Sequence, residues 1–263
     1  MKPQEVIHVQ DLFSVAEKIA LVTGGSRGIG LMIARGLLEA GVKVYISSRK
    51  KEVCNDVASQ LREVGECVSL PADVSTVAGC AALARELAQR EDRLHVLVNN
   101  AGAAWGETLA KYPESGWDKV MNTNVKSVFF LTRELLPLLE RTATAADPAR
   151  VINIGSIDGI KAPFYEAYAY SASKAAVHHL TRDLALKFAG KNITVNAIAP
   201  GPFESQMTEG MLGQYRGRVE QACPMRRIGA PSDMAGVVIY LSSRAGAYVN
   251  GVVIPVDGGI CST

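Results

Sequence analysis

The sequence is poor in the residues from which metal, disulfide and nucleic-acid sites are made. Only four histidines occur in 263 residues, His8, His95, His178 and His179. None stands with Cys, Asp or Glu at metal-ligand spacing, so no metal site is expected and no Ser/His/Asp triad is legible. His178 and His179 fall in a helix pattern, where partial burial or solvation accounts for them. The five cysteines, Cys54, Cys67, Cys80, Cys223 and Cys261, form no CxxC pair and are odd in number. They read as free thiols. The net charge is only +2, too small to suggest nucleic acid as a partner. No run approaches the roughly 18 apolar residues of a membrane span. The opening MKPQEVIHVQ lacks the apolar core of a secretory signal. The expectation is a cytoplasmic protein without nucleic-acid or membrane partners.

What is present is a soluble-enzyme balance, 48% hydrophobic and 21% charged. Strand candidates lie at 19–24, 43–48, 68–73, 95–100, 151–156, 193–200 and 252–259. They are near-continuous apolar runs, as in strands buried on both faces. Helix patterns alternate with them near 29–40, 51–64, 76–90, 114–141, 165–189 and 232–242. This predicts an α/β fold: one Rossmann-type, doubly wound, parallel seven-stranded sheet with helices on both faces. Residues 1–16 read as an N-terminal extension draped over the surface and 17–263 as one domain. The segment 201–231, rich in Gly, Pro and Met with weak periodicity, reads as a substrate lid.

The first strand runs into Thr23-Gly24-Gly25-Ser26-Arg27-Gly28-Ile29-Gly30 and a helix follows at once. Glycines let a chain turn tightly against a pyrophosphate, and a helix N-terminus adds amides and partial positive charge. At the end of the second strand, NAD sites place an acid for the ribose 2′-hydroxyl. Ser48 stands there instead, followed by Arg49, Lys50 and Lys51. With Arg27 in the glycine loop, these cations favour the 2′-phosphate of NADP.

Tyr170 and Lys174 are spaced i, i+4 and share a helix face. A free tyrosine, with a pKa of about 10, exchanges protons poorly near neutrality. A nearby ammonium and an oxidised nicotinamide both favour phenolate. Lowering the pKa by ~3 units takes about 4 kcal/mol. Tyr168 is a decoy, because the residue four beyond it is Ala172. Ser156 ends a buried strand, at the edge where doubly wound sheets bind ligands.

Together these segments resemble the short-chain dehydrogenase/reductases from residue 18 to the C-terminus. The matching residues are TGGSRGIG (23–30), Asp73-Val74, Asn99-Asn100-Ala101-Gly102, Asn124, Ser156, Tyr170 to Lys174, Pro200-Gly201 and Asp257-Gly258-Gly259. Ser205 departs mildly, taking a place often held by Thr. The resemblance implies that Asp73 and Val74 border the adenine and that Asn100, Ala101 and Gly102 line the cofactor. It further implies that Asn124 holds a relay water, Ser156 bonds the substrate carbonyl, Tyr170 exchanges the proton, and Lys174 binds the nicotinamide ribose. Cofactor contacts are expected at Gly24, Ser26, Arg27, Gly28, Ile29, Gly30, Ser48, Arg49, Pro200, Gly201, Phe203 and Ser205 as well. Within the family, SGWDKVM (115–121), 135–156 and 245–259 are most similar to 3-oxoacyl-(acyl-carrier-protein) reductases of the rhamnolipid-synthesis branch. The family also implies a homotetramer, through pairing of the helices at 114–141 and 165–189.

Three readings stay open: a 3-oxoacyl thioester reductase, a reductase or dehydrogenase for a sugar acid, cyclic ketone or steroid, and a non-catalytic NADP sensor. Phe203, Met207, Met211, Leu212, Tyr215 and Met225 would give the lid an apolar surface suited to an acyl chain. Equally, they would simply pack it onto the domain. Arg216, Arg218, Arg226, Arg227 and Lys191 would steer an acidic acyl carrier protein, or form an ordinary solvated face.

Overall fold

Strands buried on both faces need apolar side chains at odd and even positions alike, and this chain supplies them. In β1 (Ile19–Thr23), Ala20 and Val22 enter one core while Leu21 enters the other. The computed structural model describes residues 8–205 and 208–262. The other strands are β2 (Lys43–Ser47), β3 (Cys67–Ser69), β4 (Val96–Asn99), β5 (Ala149–Ile154), β6 (Ile193–Pro200) and β7 (Val253–Val256). All pair in parallel in the order β3-β2-β1-β4-β5-β6-β7. The chain thus forms the expected seven-stranded, doubly wound α/β sheet.

One face is covered by α2 (Gly28–Glu39), α3 (Lys51–Leu61) and α9 (Pro231–Ser242), whose Ile33, Leu37, Ala58, Met234 and Val238 share a core with Val98 and Ile152. The other carries α4 (Val77–Ala88), α6 (Ser127–Thr142) and α7 (Tyr168–Phe188), with Leu83, Leu135 and Leu184 against Leu97 and Val151. β1 pairs with both β2 and β4, so the connections after β1 and β4 part in opposite directions. That divergence opens a crevice beyond the carboxyl ends of the strands.

The differences from the sequence reading are local. β3 stops at Ser69, short of the expected 73, although the amides of Leu70 and Ala72 still donate to Ile46 O (2.8 Å) and Ser48 O (3.1 Å). The helix expected at 114–141 is broken into α5 (Glu114–Met121), a π turn (Asn122–Lys126) and α6. Within 201–231 the chain forms α8 (Glu209–Ala222), whose periodicity is weak because Leu212 is its one buried side chain among those described. Before β1 there is a short α1 (Val9–Phe13), and Val15, assigned to the extension, is buried in the core. Residues 1–7 of that extension lie outside the described residues. So does Met207, and the side chain of Met211 is likewise not described.

Arg150 is the largest buried side chain, at 1% exposure. Its guanidinium donates to Leu241 O (2.9 Å), Ser243 O (2.8 Å), Asp147 Oδ1 (3.1 Å) and Pro148 O. The first two are carbonyls at the end of α9, which a helix leaves without internal partners. Arg150 therefore fastens α9 to the sheet.

Candidate active site

The glycine loop is shaped by backbone needs. Gly24 and Gly28 have φ of +66° and +52°, in the left-handed region that favours glycine. A Cβ on Gly30 would lie 2.3 Å from Gly24 O, so the loop can fold onto the helix only without one. Thr23 Oγ1 accepts the amides of Asn100 and Ala101, both at 3.0 Å, and joins the ends of β1 and β4. Asn100 Nδ2 donates to Thr23 O (2.8 Å) and Gly24 O (3.3 Å). Its side chain therefore braces the loop. Ser26 is buried, Ile29 half-buried, and Arg27 stands exposed at the N-terminus of α2.

Beyond β2, Ser48 Oγ is buried without a partner, and Arg49 is exposed beside it. Arg27 and Lys50 line a cleft of about 700 Å³ whose far wall is Ser205, Leu212 and Arg216. A glycine cradle, a helix N-terminus, an orphaned hydroxyl and a basic rim fit a dinucleotide with a 2′-phosphate. Asp73 Oδ1 accepts from Ser75 N (3.0 Å) and Oγ (2.7 Å), while Val74 is buried in the turn before α4. A Cβ on Gly102 would sit 3.6 Å from Asn124 Oδ1 and 3.9 Å from Lys174 Nζ, so this backbone borders the chemistry. Pro200 ends β6, and Gly201 packs so closely that a Cβ would lie 2.8 Å from Asp257 Cα.

At the chemistry end, Ser156 Oγ accepts the Asp158 amide at 3.1 Å and lies near enough to the Tyr170 phenol to favour its ionised form. Lys174 is buried, with Nζ 5.5 Å from the Tyr170 ring centre and donating to Ile154 O at 2.8 Å. Burial brings Lys174 down to about 8, against the pull of the Asp158 carboxylate. Burial also pushes Tyr170 up to about 12, opposed by the Ser156 hydroxyl and reinforced by Asp158. In the protein alone, then, the phenol keeps its proton; the phenolate reading calls on an oxidised nicotinamide as well as the ammonium. Tyr168 is apart from this group, in an edge-to-face pair with Tyr112.

Asn124 lies in the π turn. Its Nδ2 donates to Ala103 O (3.0 Å) and Ser173 Oγ (2.9 Å), and its Oδ1 accepts from Ala103 N (2.8 Å). Both amide hydrogens are engaged. The Asn124 side chain therefore has no amide hydrogen left for a relay water.

The lid differs in detail from its sequence reading. Phe203 is 2% exposed and packs on Gly229, so it belongs to the core and adds no open apolar surface. Tyr215 and Met225 are exposed. Most of the proposed steering cations are matched by acids: Lys191 by Glu140, Arg216 by Glu204 and Glu220, and Arg227 by Asp233 at 2.5 and 3.0 Å. Arg218 lies over the Tyr215 ring and Arg226 donates to Gln221 O.

A model of the family described as Enoyl-(Acyl carrier protein) reductase matches residues 24–261. A rhamnolipids biosynthesis 3-oxoacyl-[acyl-carrier-protein] reductase of Pseudomonas aeruginosa is 53% identical over 249 residues, 94% of this chain and 97% of that protein. The chain belongs to the short-chain dehydrogenase/reductases. The solved Pseudomonas aeruginosa RhlG/NADP active-site complex superposes on this short-chain dehydrogenase/reductase with a TM-score of 0.93, at 52% identity, covering 97% of this chain and 100% of that one. A 2-dehydro-3-deoxy-D-gluconate 5-dehydrogenase of Dickeya dadantii is 36% identical over 259 residues, 95% of this chain and 98% of that protein.

Sequence reasoning about this oxidoreductase missed Asp158, Tyr165 and Ser173. Ser173 was within reach, since it precedes the motif lysine. Asp158 carried a weaker signal, an acid two residues beyond Ser156 where the strand has just ended. Tyr165 carried none, because its partner is set by the path of the loop.

Proposed function

We propose that this protein is an NADPH-dependent reductase that converts 3-oxoacyl thioesters to 3-hydroxyacyl thioesters. One observation carries the reading: Ser156, Tyr170 and buried Lys174 converge beside Gly102, at the open end of a glycine cradle rimmed by Arg27, Arg49 and Lys50. When bound, the reduced nicotinamide supplies the hydride. The protein does the rest. The cradle amides and the N-terminus of α2 hold the pyrophosphate, and Arg27 and Arg49 hold the 2′-phosphate. Ser156 Oγ and Tyr170 Oη together grip the carbonyl oxygen, and Tyr170 delivers its proton there as negative charge develops. Lys174 holds the ribose and its charge stabilises the resulting phenolate. In this reading a water held near Asn124 returns the proton to Tyr170.

The thioester reading rests on the 53% relative, whose name specifies that class. The gluconate-type relative at 36% keeps a sugar-acid ketone as the second reading. In this proposal 201–231 acts as the lid, with the exposed Tyr215 and Met225 offered to the acyl chain. The enzyme works in the cytoplasm, in keeping with the finding that no helix among the described residues is long and apolar enough to cross a membrane. The proposed homotetramer is supported by the exposed Phe129 of α6 and Leu186 of α7, apolar side chains open on the two helices that such family members pair. An acyl carrier protein is the finer partner assignment. Because Lys191, Arg216 and Arg227 are matched by acids, its docking should show a shallow salt dependence. The test is NADPH oxidation with acetoacetyl-CoA, gluconate-type ketones and steroid ketones. Turnover of the thioester well above the others is expected. Turnover of ketones with none on any 3-oxoacyl thioester would leave the second reading standing.

A further inference from the structure

Directly after Ser156 the chain makes a single 3₁₀ turn, Ile157–Gly159, and places a carboxylate beside the reacting groups. Asp158 is fixed at three points. Its amide donates to Ser156 Oγ at 3.1 Å. Its carbonyl accepts Ser171 Oγ at 2.8 Å, one residue beyond Tyr170. Its carboxylate accepts the hydroxyl of Tyr165. The same carboxylate lies within electrostatic reach of both Tyr170 and Lys174.

The groups around it can be named element by element. Ser156 faces Tyr170 from the end of β5, Lys174 from its own helix, and Tyr165 from the loop before α7. His178, one turn past Lys174, is uncharged near neutrality, since burial holds it at about 4. From the C-terminal turn, Cys261 faces Asp158 and Lys161, and Lys161 Nζ donates to Ile260 O at 2.8 Å. Tyr165 is pushed far above the ordinary tyrosine range by burial and by Asp158, so it stays an O–H donor throughout. Of the groups that face Tyr170, Asp158 is the one carboxyl; burial raises its pKa, while the Tyr165 hydrogen bond and the Lys174 charge oppose that and favour the carboxylate.

We propose that Asp158 is a positioning residue for the reduction: held by Tyr165, Ser156 and Ser171, its negative charge keeps the transferable proton on Tyr170. The chemistry follows from charge. Reduction needs neutral phenol, whose O–H bond breaks as the carbonyl oxygen takes the proton and the carbonyl carbon takes the hydride. Alcohol oxidation needs the phenolate. An anion beside the phenol opposes phenolate and favours the ammonium of Lys174, so it extends reduction to higher pH and delays oxidation to higher pH. Removing the charge should move both limbs toward acid by a similar amount, because the driving force of the overall reaction is untouched.

The inference rests on the reductase reading for its kinetic arm only. Asp158→Asn keeps an acceptor for Tyr165 and removes the charge. The alkaline limb of kcat/KM for acetoacetyl-CoA reduction, and the acid limb for oxidation of the hydroxy product, should each fall by about 1 pH unit, the low end of single-charge effects. Asp158→Glu should restore much of the shift. Tyr165→Phe loosens the carboxylate and should give a smaller shift in the same direction, which keeps the idea testable if Asp158→Asn folds poorly. A second arm needs no turnover. In cofactor-free protein with carbon-labelled tyrosine, the resonance absent from Tyr170→Phe should begin to titrate at lower pH in Asp158→Asn than in the parent. Absence of thioester turnover together with that titration shift would discard the substrate and keep the role. Superimposable profiles and titrations in parent and Asp158→Asn would overturn it.

Discussion

His178 makes folding stability depend on pH in a way that can be worked out in advance. It is 4% exposed, one turn beyond Lys174, and so close to Gly155 that a Cβ there would lie 2.1 Å from its Nε2. Nε2 has no hydrogen-bond partner, and the Gly159 backbone lies against the ring. Burial lowers its pKa from 6.5 to about 4. The sign then follows. Between those values the unfolded chain takes up a proton that the folded protein refuses, so stability is complete above about pH 6.5 and is lost as pH falls toward 4. At 1.36 kcal/mol per unit the whole effect is about 3 kcal/mol, of which about 2.5 should be gone at about pH 4.5. His95 adds a parallel loss, since burial holds it at about 4 and its Nδ1 accepts the Ile19 amide at 3.0 Å. The comparison that isolates His178 is His178→Asn, which keeps a hydrogen-bond donor and cannot titrate. Urea unfolding at about pH 7.5 and about pH 4.5 should show the variant less stable than the parent at the higher pH. Its further loss on acidification should be smaller by about 2.5 kcal/mol. Equal losses in both proteins would refute the reasoning.

Other consequences can be measured directly. Tyr170→Phe removes the proton donor and leaves the ring, so turnover should fall by roughly 10²–10⁴ with the melting temperature little changed; near-normal turnover would remove Tyr170 from the role of acid. Replacing Ser48 by Asp and Arg49 by Ala should shift the kcat/KM ratio of NADPH to NADH toward NADH, and a parent enzyme that already prefers NADH would contradict the cofactor assignment. Gly30→Ala forces a methyl to 2.3 Å from Gly24 O, so calorimetry should show NADPH binding weakened at least tenfold and stability lowered by about 1–3 kcal/mol. Arg150→Ala leaves the carbonyls at the end of α9 unpaired and should cost about 3 kcal/mol in urea titration; a loss under 1 kcal/mol would mean that water replaces the guanidinium.

The sequence by itself determined the order of strands and helices, the doubly wound sheet, the glycine loop, the basic end of β2 and the Tyr170/Lys174 pair. Each of these is written in a short window: apolar runs for buried strands, left-handed turns at Gly24 and Gly28, one helical turn between Tyr170 and Lys174. What only the tertiary structure decided is which partner each polar group finds. Asn124 could not be seen to exhaust its amide on Ala103 and Ser173, because those contacts join segments far apart in the chain. The same holds for Lys18 on Asp147 at 2.5 Å, for Arg150 on the end of α9, and for the acids that match Lys191 and Arg216. The π turn in the helix predicted at 114–141 is another case, since the helix pattern carries through it while the backbone widens to hold Asn124 against α7. Asp158 shows the division most plainly. Its position two residues past Ser156 is local, but its value as a fixed charge depends on Tyr165 and Ser171 closing on it from the loop and helix that follow. Backbone requirements and periodicity are properties of neighbours in sequence, whereas hydrogen-bond saturation, burial and the resulting protonation states are properties of neighbours in space.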